Sequence, residues 1–305
     1  RHRGLPAQVR VAAVDLGTNS TRLLVADANG ALEEVVRRLR ITRLGEGVDA
    51  RRILLPVAIA RVRNVLVDYR REAERLGAER VLCIATSAVR DAENGEAFLG
   101  EIEWSYGFTT RLLSGDEEAE LTLRGIGAVE PGTLVVDVGG GSTEVQVVGT
   151  DARASLDVGC VRMTERFGED VAAVRAHVRG LLPQARPERA IGVAGTVTTL
   201  AALDLGLESY DPERIHGHEL SRGAVEELTA RLAGMTVEER ARIMEPGRAP
   251  VIVAGAAILA EVLAFYGLDG IAASERDILH GAALAAAELP EPEEGAAPPG
   301  AYTCC

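Results

Sequence analysis

Val11-Ala-Ala-Val-Asp15-Leu-Gly17-Thr18-Asn19-Ser20-Thr-Arg22-Leu-Leu-Val-Ala-Asp27 and, about 120 residues further on, Leu134-Val-Val-Asp137-Val-Gly139-Gly140-Gly141-Ser142-Thr143-Glu144-Val-Gln-Val-Val148 are two versions of one pattern. Each is an apolar strand, an aspartate, a tight turn of glycine and small hydroxyl residues, and a second apolar strand. Such a turn exposes several backbone N–H groups with no Cβ in the way, which suits a phosphate. Taken singly, Asp-x-Gly-Thr-Asn-Ser could merely close a hairpin. Two matched copies at domain spacing read as a phosphate cradle made of Gly17, Thr18, Asn19 and Ser20 on one side and Gly139, Gly140, Gly141, Ser142 and Thr143 on the other. Each turn joins two strands, and neither contains Gly-Lys-Ser/Thr. They are therefore neither a P-loop nor a dinucleotide fingerprint opening a helix.

Working outward, residues 9–15 and 22–27 read as a hairpin, with a third strand near 32–42. Apolar residues at Ile59, Val62, Leu66, Tyr69, Ala73 and Leu76 have helical spacing, with Pro56 in the first turn and Gly77 at the end. A buried strand at 81–85 leads into Thr86-Ser87 and a helix. A strand at 109–113 leads into a helix opened by Ser114-Gly-Asp-Glu and running to about Gly127.

The pattern then restarts. Strands at 133–138 and 144–149 are followed by helices at about 160–182, a strand at 191–194, and a helix from Gly195-Thr196. Further helices are expected near 221–233, 236–244 and 249–267, then a strand at 270–273 and a last helix at 275–288. The tail from Pro290 is Pro- and Glu-rich low-complexity sequence, expected to be disordered over 290–305. Alternating strands and helices in two matched halves imply α/β domains, with ligand expected in the cleft between them. The expected division is 7–127 and 128–274, with the last helix packing back on the first domain.

Composition narrows the function classes. The 305 residues are 47% hydrophobic but only 3% aromatic, so Val, Leu, Ile and Ala must build the cores. A net charge of −13 argues against broad nucleic-acid binding, so a polyanionic substrate needs a local basic site. Arginine supplies the positive charge and suits bidentate phosphate contacts. Cys83, Cys160, Cys304 and Cys305 show no metal or disulfide spacing, which fits a reducing cytoplasm. No signal peptide is evident. The apolar run Val251–Ala260 is too short to span a bilayer and reads as a buried helix. The Cys304-Cys305 ending has no basic patch beside it that would support lipidation. An isologous dimer is compatible with the chain, but no residue specifies one.

The two hairpins resemble the paired phosphate motifs of the actin, heat-shock-70 and sugar-kinase superfamily, and Gly192-Val-Ala-Gly195-Thr196-Val-Thr198-Thr199-Leu200 resembles its adenosine-side motif. Within it the chain is similar to the exopolyphosphatase/guanosine pentaphosphate phosphatase family, in its short two-domain form. The residues carrying the likeness are Asp15 to Arg22, Ala85-Thr-Ser-Ala-Val-Arg90, Ser114-Gly-Asp-Glu-Glu118-Ala, Asp137 to Glu144, Asp157-Val-Gly-Cys160-Val-Arg, Gly195 to Leu200 and Ile215-His-Gly-His. The resemblance implies two ribonuclease-H-like (actin-like ATPase) domains. One departure is Ile278-Leu-His280-Gly281, where relatives often have Leu-Arg-Glu-Gly.

The resemblance also implies roles. Glu118 is the expected catalytic carboxylate, deprotonating a water in line with the terminal phosphorus. Its neighbour Glu117 points about 100° away on a helix, so only one of the two can serve. Asp137 and Glu144 bracket the second turn and are the expected ligands of Mg²⁺, or Mn²⁺, held largely through water. Arg22, Arg90 and Arg248 are expected contacts to the phosphate chain, and Cys160 an expected lining residue rather than a nucleophile. His216 and His218 read as structural. The implied reaction is release of orthophosphate from inorganic polyphosphate. The alternatives are a 5′-phosphatase of guanosine pentaphosphate (pppGpp), a non-catalytic binder of polyphosphate or alarmone and, more distantly, a sugar kinase.

Overall fold

The structure is a computed structural model that describes residues 9–29 and 31–290. The Cys304-Cys305 ending and nearly all of the expected disordered tail lie outside the described residues. The chain divides into two compact units, one built from residues 9–125 and 278–290 and the other from Ile126–Asp277.

The first unit is a five-stranded sheet. Its strands are β1 (Val9–Leu16), β2 (Ser20–Ala28), β3 (Leu32–Ile41), β4 (Arg80–Ala85) and β5 (Thr109–Leu112), in the order β3-β2-β1-β4-β5. β1 and β2 form an antiparallel hairpin, while β1, β4 and β5 run parallel. The side-chain period of two explains why both faces of β1 are apolar. Ala12 and Val14 face a core built with the helices Pro56–Arg75 and Gly95–Tyr106. Val11 and Ala13 face a second core that includes Leu121 and the helix Ile278–Ala286. That last helix packs so closely on Leu121 that a Cβ on Gly281 would lie inside contact distance of its carbonyl.

The second unit repeats the plan. Its strands are β6 (Thr133–Val138), β7 (Thr143–Val147), β8 (Arg153–Leu156), β9 (Arg189–Val193), β10 (Glu219–Ser221) and β11 (Gly270–Ala273), in the order β10-β11-β9-β6-β7-β8. β8-β7-β6-β9-β11 matches β3-β2-β1-β4-β5 strand for strand, with β10 added antiparallel at the edge. The helix Ile252–Tyr266 is buried along most of its length. Its one acid, Glu261, is neutralised by Arg175 and Arg179. Among the described residues no helix is long and apolar enough to cross a membrane.

The structure departs from expectation in places. β8 and β10 were not anticipated. The expected helix 236–244 is helical only over Val237–Arg240, while the helices expected at about 160–182 are present as Cys160–Phe167 and Val171–Arg179, separated at Gly168.

Candidate active site

The two glycine turns are built alike, down to their supports. Gly17 N–H donates to the Ser20 carbonyl at 3.0 Å, and Gly139 N–H to the Ser142 carbonyl at 3.1 Å. In each turn a Cβ on the glycine would come within 3.0 Å of that carbonyl, so the position favours glycine. The loop carbonyls are then drawn to one side. In the first unit, Thr42 and Arg43 N–H groups hold the Asn19 carbonyl and Gly45 N–H holds that of Thr18. In the second, Cys160 N–H holds the Gly139 carbonyl at 2.9 Å, and Val161 and Arg162 N–H groups hold that of Gly140 at 2.8 and 3.2 Å. The buried Arg162 adds a bond from Nε to the Gly141 carbonyl at 2.7 Å.

A peptide carbonyl and the following N–H point in opposite directions. Pinning the carbonyls of residues 139–141 therefore turns the N–H groups of Gly140, Gly141 and Ser142 outward together, and these have no hydrogen-bond partner among the described residues. That is a concave set of donors suited to an anion. A close-packed glycine backs each turn. Gly45 lies against Thr18, and Gly159 lies against the Gly140–Gly141 peptide, where a Cβ would stand 2.4 Å from the Gly140 carbonyl. Gly45, Gly159 and Arg162 had been given no role from sequence. Gly159 and Arg162 stood within a quoted motif, but only the folded chain shows what they touch.

The hairpin register sets the chemistry beside each turn. Asp15 lies directly opposite Arg22, and Asp137 directly opposite Glu144. In the first hairpin the pair is an ion pair, with Arg22 Nη2 at 2.6 Å and Nε at 2.8 Å from Asp15 Oδ2. Arg22, expected to meet phosphate, is thus engaged with an acid of its own hairpin. In the second hairpin the same two positions hold two carboxylates, both nine-tenths or more buried, and Glu144 also accepts from Ser155 Oγ at 2.8 Å. Two hard oxygen donors on one face of a hairpin fit a Mg²⁺ ion. No group of three or more His, Cys, Asp or Glu able to hold a metal occurs among the described residues. An ion there would therefore take its remaining ligands from water and phosphate.

Glu118 and Glu117 are separated by the helix geometry. The helix Gly115–Ile126 starts at a reciprocal cap: Glu117 N–H bonds to Ser114 Oγ, and the Glu117 carboxylate accepts from Ser114 N–H and Oγ at 2.8 Å each. These bonds hold the Glu117 carboxyl below its usual range. Glu118, on the adjacent face, is 5% exposed and paired with Arg90, whose Nη1 lies 2.5 Å from its Oε1 and also donates to the Leu113 carbonyl. Arg90 follows β4, Glu118 follows β5 and the first glycine turn follows β1. In the register of the parallel strands, Leu16 is level with Ala85 and Ala85 with Leu112. All three groups thus lie at the carboxyl edge of one sheet, where α/β folds bind ligands.

The second unit does the same at the ends of β6 and β9. The turn from β9 into the helix Ala194–Asp204 carries Ala194 at φ +65°, a left-handed conformation unusual for a residue with a Cβ. Beside it the Arg248 side chain rests on Gly195, where a Cβ would fall 1.6 Å from Nη1. Cys160 joins this group to the glycine turn. Its N–H holds Gly139, its Cβ and the Thr196 side chain both lie against Gly255, and Arg248 acts on its thiol. Burial nevertheless pushes the Cys160 thiol up to about 11, so it is not a thiolate at neutral pH. His218 pairs with Asp204 at 2.7 Å and His216 Nδ1 accepts from Glu275 N–H, both apart from any acid cluster.

A family model described as the Ppx/GppA phosphatase family matches residues 23–287. The chain belongs to the Ppx/GppA phosphatase family. It is 41% identical to Exopolyphosphatase 2 of Mycobacterium tuberculosis over 92% of this chain and 99% of that protein. It is 32% identical to a Guanosine-5'-triphosphate,3'-diphosphate pyrophosphatase of Photobacterium profundum, over 66% of this chain and 44% of that protein. Among solved structures, an exopolyphosphatase-like protein superposes with TM-score 0.83 at 34% identity, covering 90% of this chain and 98% of that one. The Aquifex aeolicus Ppx/GppA family member gives TM-score 0.75 at 29% identity, covering 92% and 97%. The family match extends across both units.

Proposed function

We propose that this Ppx/GppA protein is an exopolyphosphatase that hydrolyses the terminal phosphoanhydride of inorganic polyphosphate in the cytoplasm. The observation that carries the reading is the contrast at 117–118. One carboxylate caps its helix, while its neighbour is buried, held by an arginine and placed at the carboxyl edge of the sheet. A module that only bound phosphate would gain nothing from a buried carboxylate facing an anion. The near full-length likeness to a protein named Exopolyphosphatase 2 supports polyphosphate as substrate.

In this reading the outward N–H groups of Gly140, Gly141 and Ser142 hold phosphoryl oxygens, and the turn Gly17–Ser20 is a phosphate cradle of the same build. Thr143 Oγ1 donates to the Val158 carbonyl at 2.6 Å and so braces its turn rather than reaching the anion. Glu118 accepts the proton of the attacking water, and Arg90 fixes the direction of its carboxylate. Arg248 meets a following phosphate of the chain. Asp137 and Glu144 would hold Mg²⁺, which supplies charge neutralisation at the transferring phosphoryl group. Most of the rate enhancement then comes from positioning and preset electrostatics.

A second reading, pppGpp 5′-phosphatase, is supported by the relatives named as pyrophosphatases of that nucleotide. The test is orthophosphate release with Mg²⁺ from polyphosphates of several lengths and, in parallel, from pppGpp. Higher kcat/KM for pppGpp would overturn the substrate assignment. Glu118→Gln should lower kcat by about 10²-fold or more while polyphosphate still binds, and wild-type turnover in that variant would remove Glu118 as the base.

A further inference from the structure

Residues 235–249 connect the helices Arg222–Ala233 and Ile252–Tyr266 without joining the sheet. At the centre of this segment is Arg240, 1% exposed and first by volume among the fully buried side chains of the described residues. Its guanidinium is used almost completely. Nε and Nη2 donate to the Met235 carbonyl at 3.2 and 3.0 Å, Nη1 to the Ala249 carbonyl at 3.0 Å, and Nη2 also to Glu169 Oε1 at 2.5 Å. The turn that presents it is fixed by a capping box between Thr236 and Glu239. One planar fork therefore ties the beginning of the segment to its end.

That end is where Arg248 is carried. Ala249, whose carbonyl the fork grips, is its neighbour in the chain, and the Arg248 carbonyl accepts from Val251 and Ile252 N–H. The Arg248 guanidinium lies against Gly195, in space that any Cβ there would fill. A buried charge is costly, and an apolar side chain could fill the loop at lower cost. What an apolar residue cannot do is hold two carbonyls, fourteen residues apart in sequence, in one plane. We propose that Arg240 is a positioning residue: it clamps this segment so that Arg248 is held over Gly195 before the phosphate chain arrives. The functional consequence rests on the reading above that Arg248 meets that chain.

The test is a double-mutant cycle on polyphosphate hydrolysis with Arg240→Lys, Arg248→Ala and the pair. Lysine keeps the charge but has no planar fork and at most three donors. Each single change is expected to raise KM on the order of tenfold with kcat within about twofold, and the pair to match Arg248→Ala alone. Fully additive effects would mean that Arg240 acts through the fold in general and would overturn the proposal. A second measurement needs no substrate. The Nε–Hε resonance of Arg248, assigned by its loss in Arg248→Ala, is expected to shift or broaden in Arg240→Lys, and an unchanged resonance overturns the clamp. If Arg240→Lys does not fold, Glu169→Gln loosens the outer end of the same fork and is read at the same resonance with the same two outcomes. A wild-type protein that released no phosphate from polyphosphate would overturn the functional reading, while the resonance would still decide the clamp.

Discussion

Gly159→Ala tests the idea that the phosphate turn is shaped from behind. An ideal Cβ at 159 would stand 2.4 Å from the carbonyl carbon and oxygen of Gly140 and 2.5 Å from Gly141 N. Ordinary carbon contacts begin roughly 1 Å further out. Backbone lies on both sides of this contact, so the turn and the start of the helix Cys160–Phe167 must separate by about that distance. The bonds Cys160 N–Gly139 O at 2.9 Å and Val161 N–Gly140 O at 2.8 Å would then stretch past hydrogen-bonding range. Losing two such bonds and stranding their groups costs about 2–4 kcal/mol. For a domain of this size that lowers Tm by on the order of 10 °C. The N–H groups of Gly140, Gly141 and Ser142 would lose their common direction, and a displacement of about 1 Å costs on the order of 10²-fold in rate. Thermal melting and orthophosphate release on one preparation measure both. Gly100→Ala is the control, because nothing lies within 4 Å of a Cβ there and the helix should gain slightly. Gly159→Ala with wild-type melting and release within about threefold of wild type would refute the argument that the helix start orients the turn.

Three further outcomes are expected. Glu144→Gln keeps an acceptor for Ser155 Oγ and removes one of two opposed carboxylates, so without divalent ions it should melt no lower than wild type. Mg²⁺ should raise the Tm of wild type but not of this variant, and an equal rise in both would remove Glu144 from the metal site. Glu117→Gln should leave turnover near wild type and cost a little stability at neutral pH. Because the cap holds the folded Glu117 carboxyl below its ordinary 4.5, its contribution is present above that value and disappears as pH falls through the lower folded value. The melting temperatures of wild type and Glu117→Gln should therefore converge in acid, and a gap that widened there would contradict the cap. Cys160, with its thiol raised to about 11 by burial, should resist alkylation at pH 8 in the folded protein. Rapid labelling of Cys160 at that pH, separated by peptide mapping, would show the burial argument to be wrong.

The hairpins were legible because three constraints coincide in a few residues: apolar strands, a turn that favours glycine, and an acid at fixed spacing. The choice between Glu117 and Glu118 could be framed from helical angle alone. What sequence could not supply was contact between distant residues. Arg90 meets Glu118 28 residues away, and Arg162 meets a carbonyl 21 residues back. A glycine such as Gly45 or Gly159 looks like any loop glycine until the backbone it touches is known. β8 and β10 escaped detection because each is an edge strand of only four or three residues with a single buried residue, too short for its polar–apolar alternation to stand out. The helix expected over 236–244 stops at Arg240, where the side chain turns inward to bind carbonyls and the backbone gives way to turns.

The most informative difference in the molecule lies between two hairpins that are otherwise equivalent. Their registers superpose Asp15–Arg22 on Asp137–Glu144. Directly opposed residues on one face of an antiparallel pair stand about 5 Å apart, close enough for like charges to repel. The first hairpin satisfies this contact internally by pairing acid with arginine. The second places acid opposite acid, nine-tenths buried, a like-charge contact that is unfavourable by itself and that a cation would relieve. The cost falls next to the turn whose N–H groups are turned outward for an anion. A cation-seeking pair beside an anion-seeking loop is the combination that a metal-bound phosphate satisfies at once, and neither a bare phosphate nor a bare metal satisfies both. The two hairpins thus supply two turns of one build, and they differ at the residue opposite the aspartate, arginine in the first and glutamate in the second.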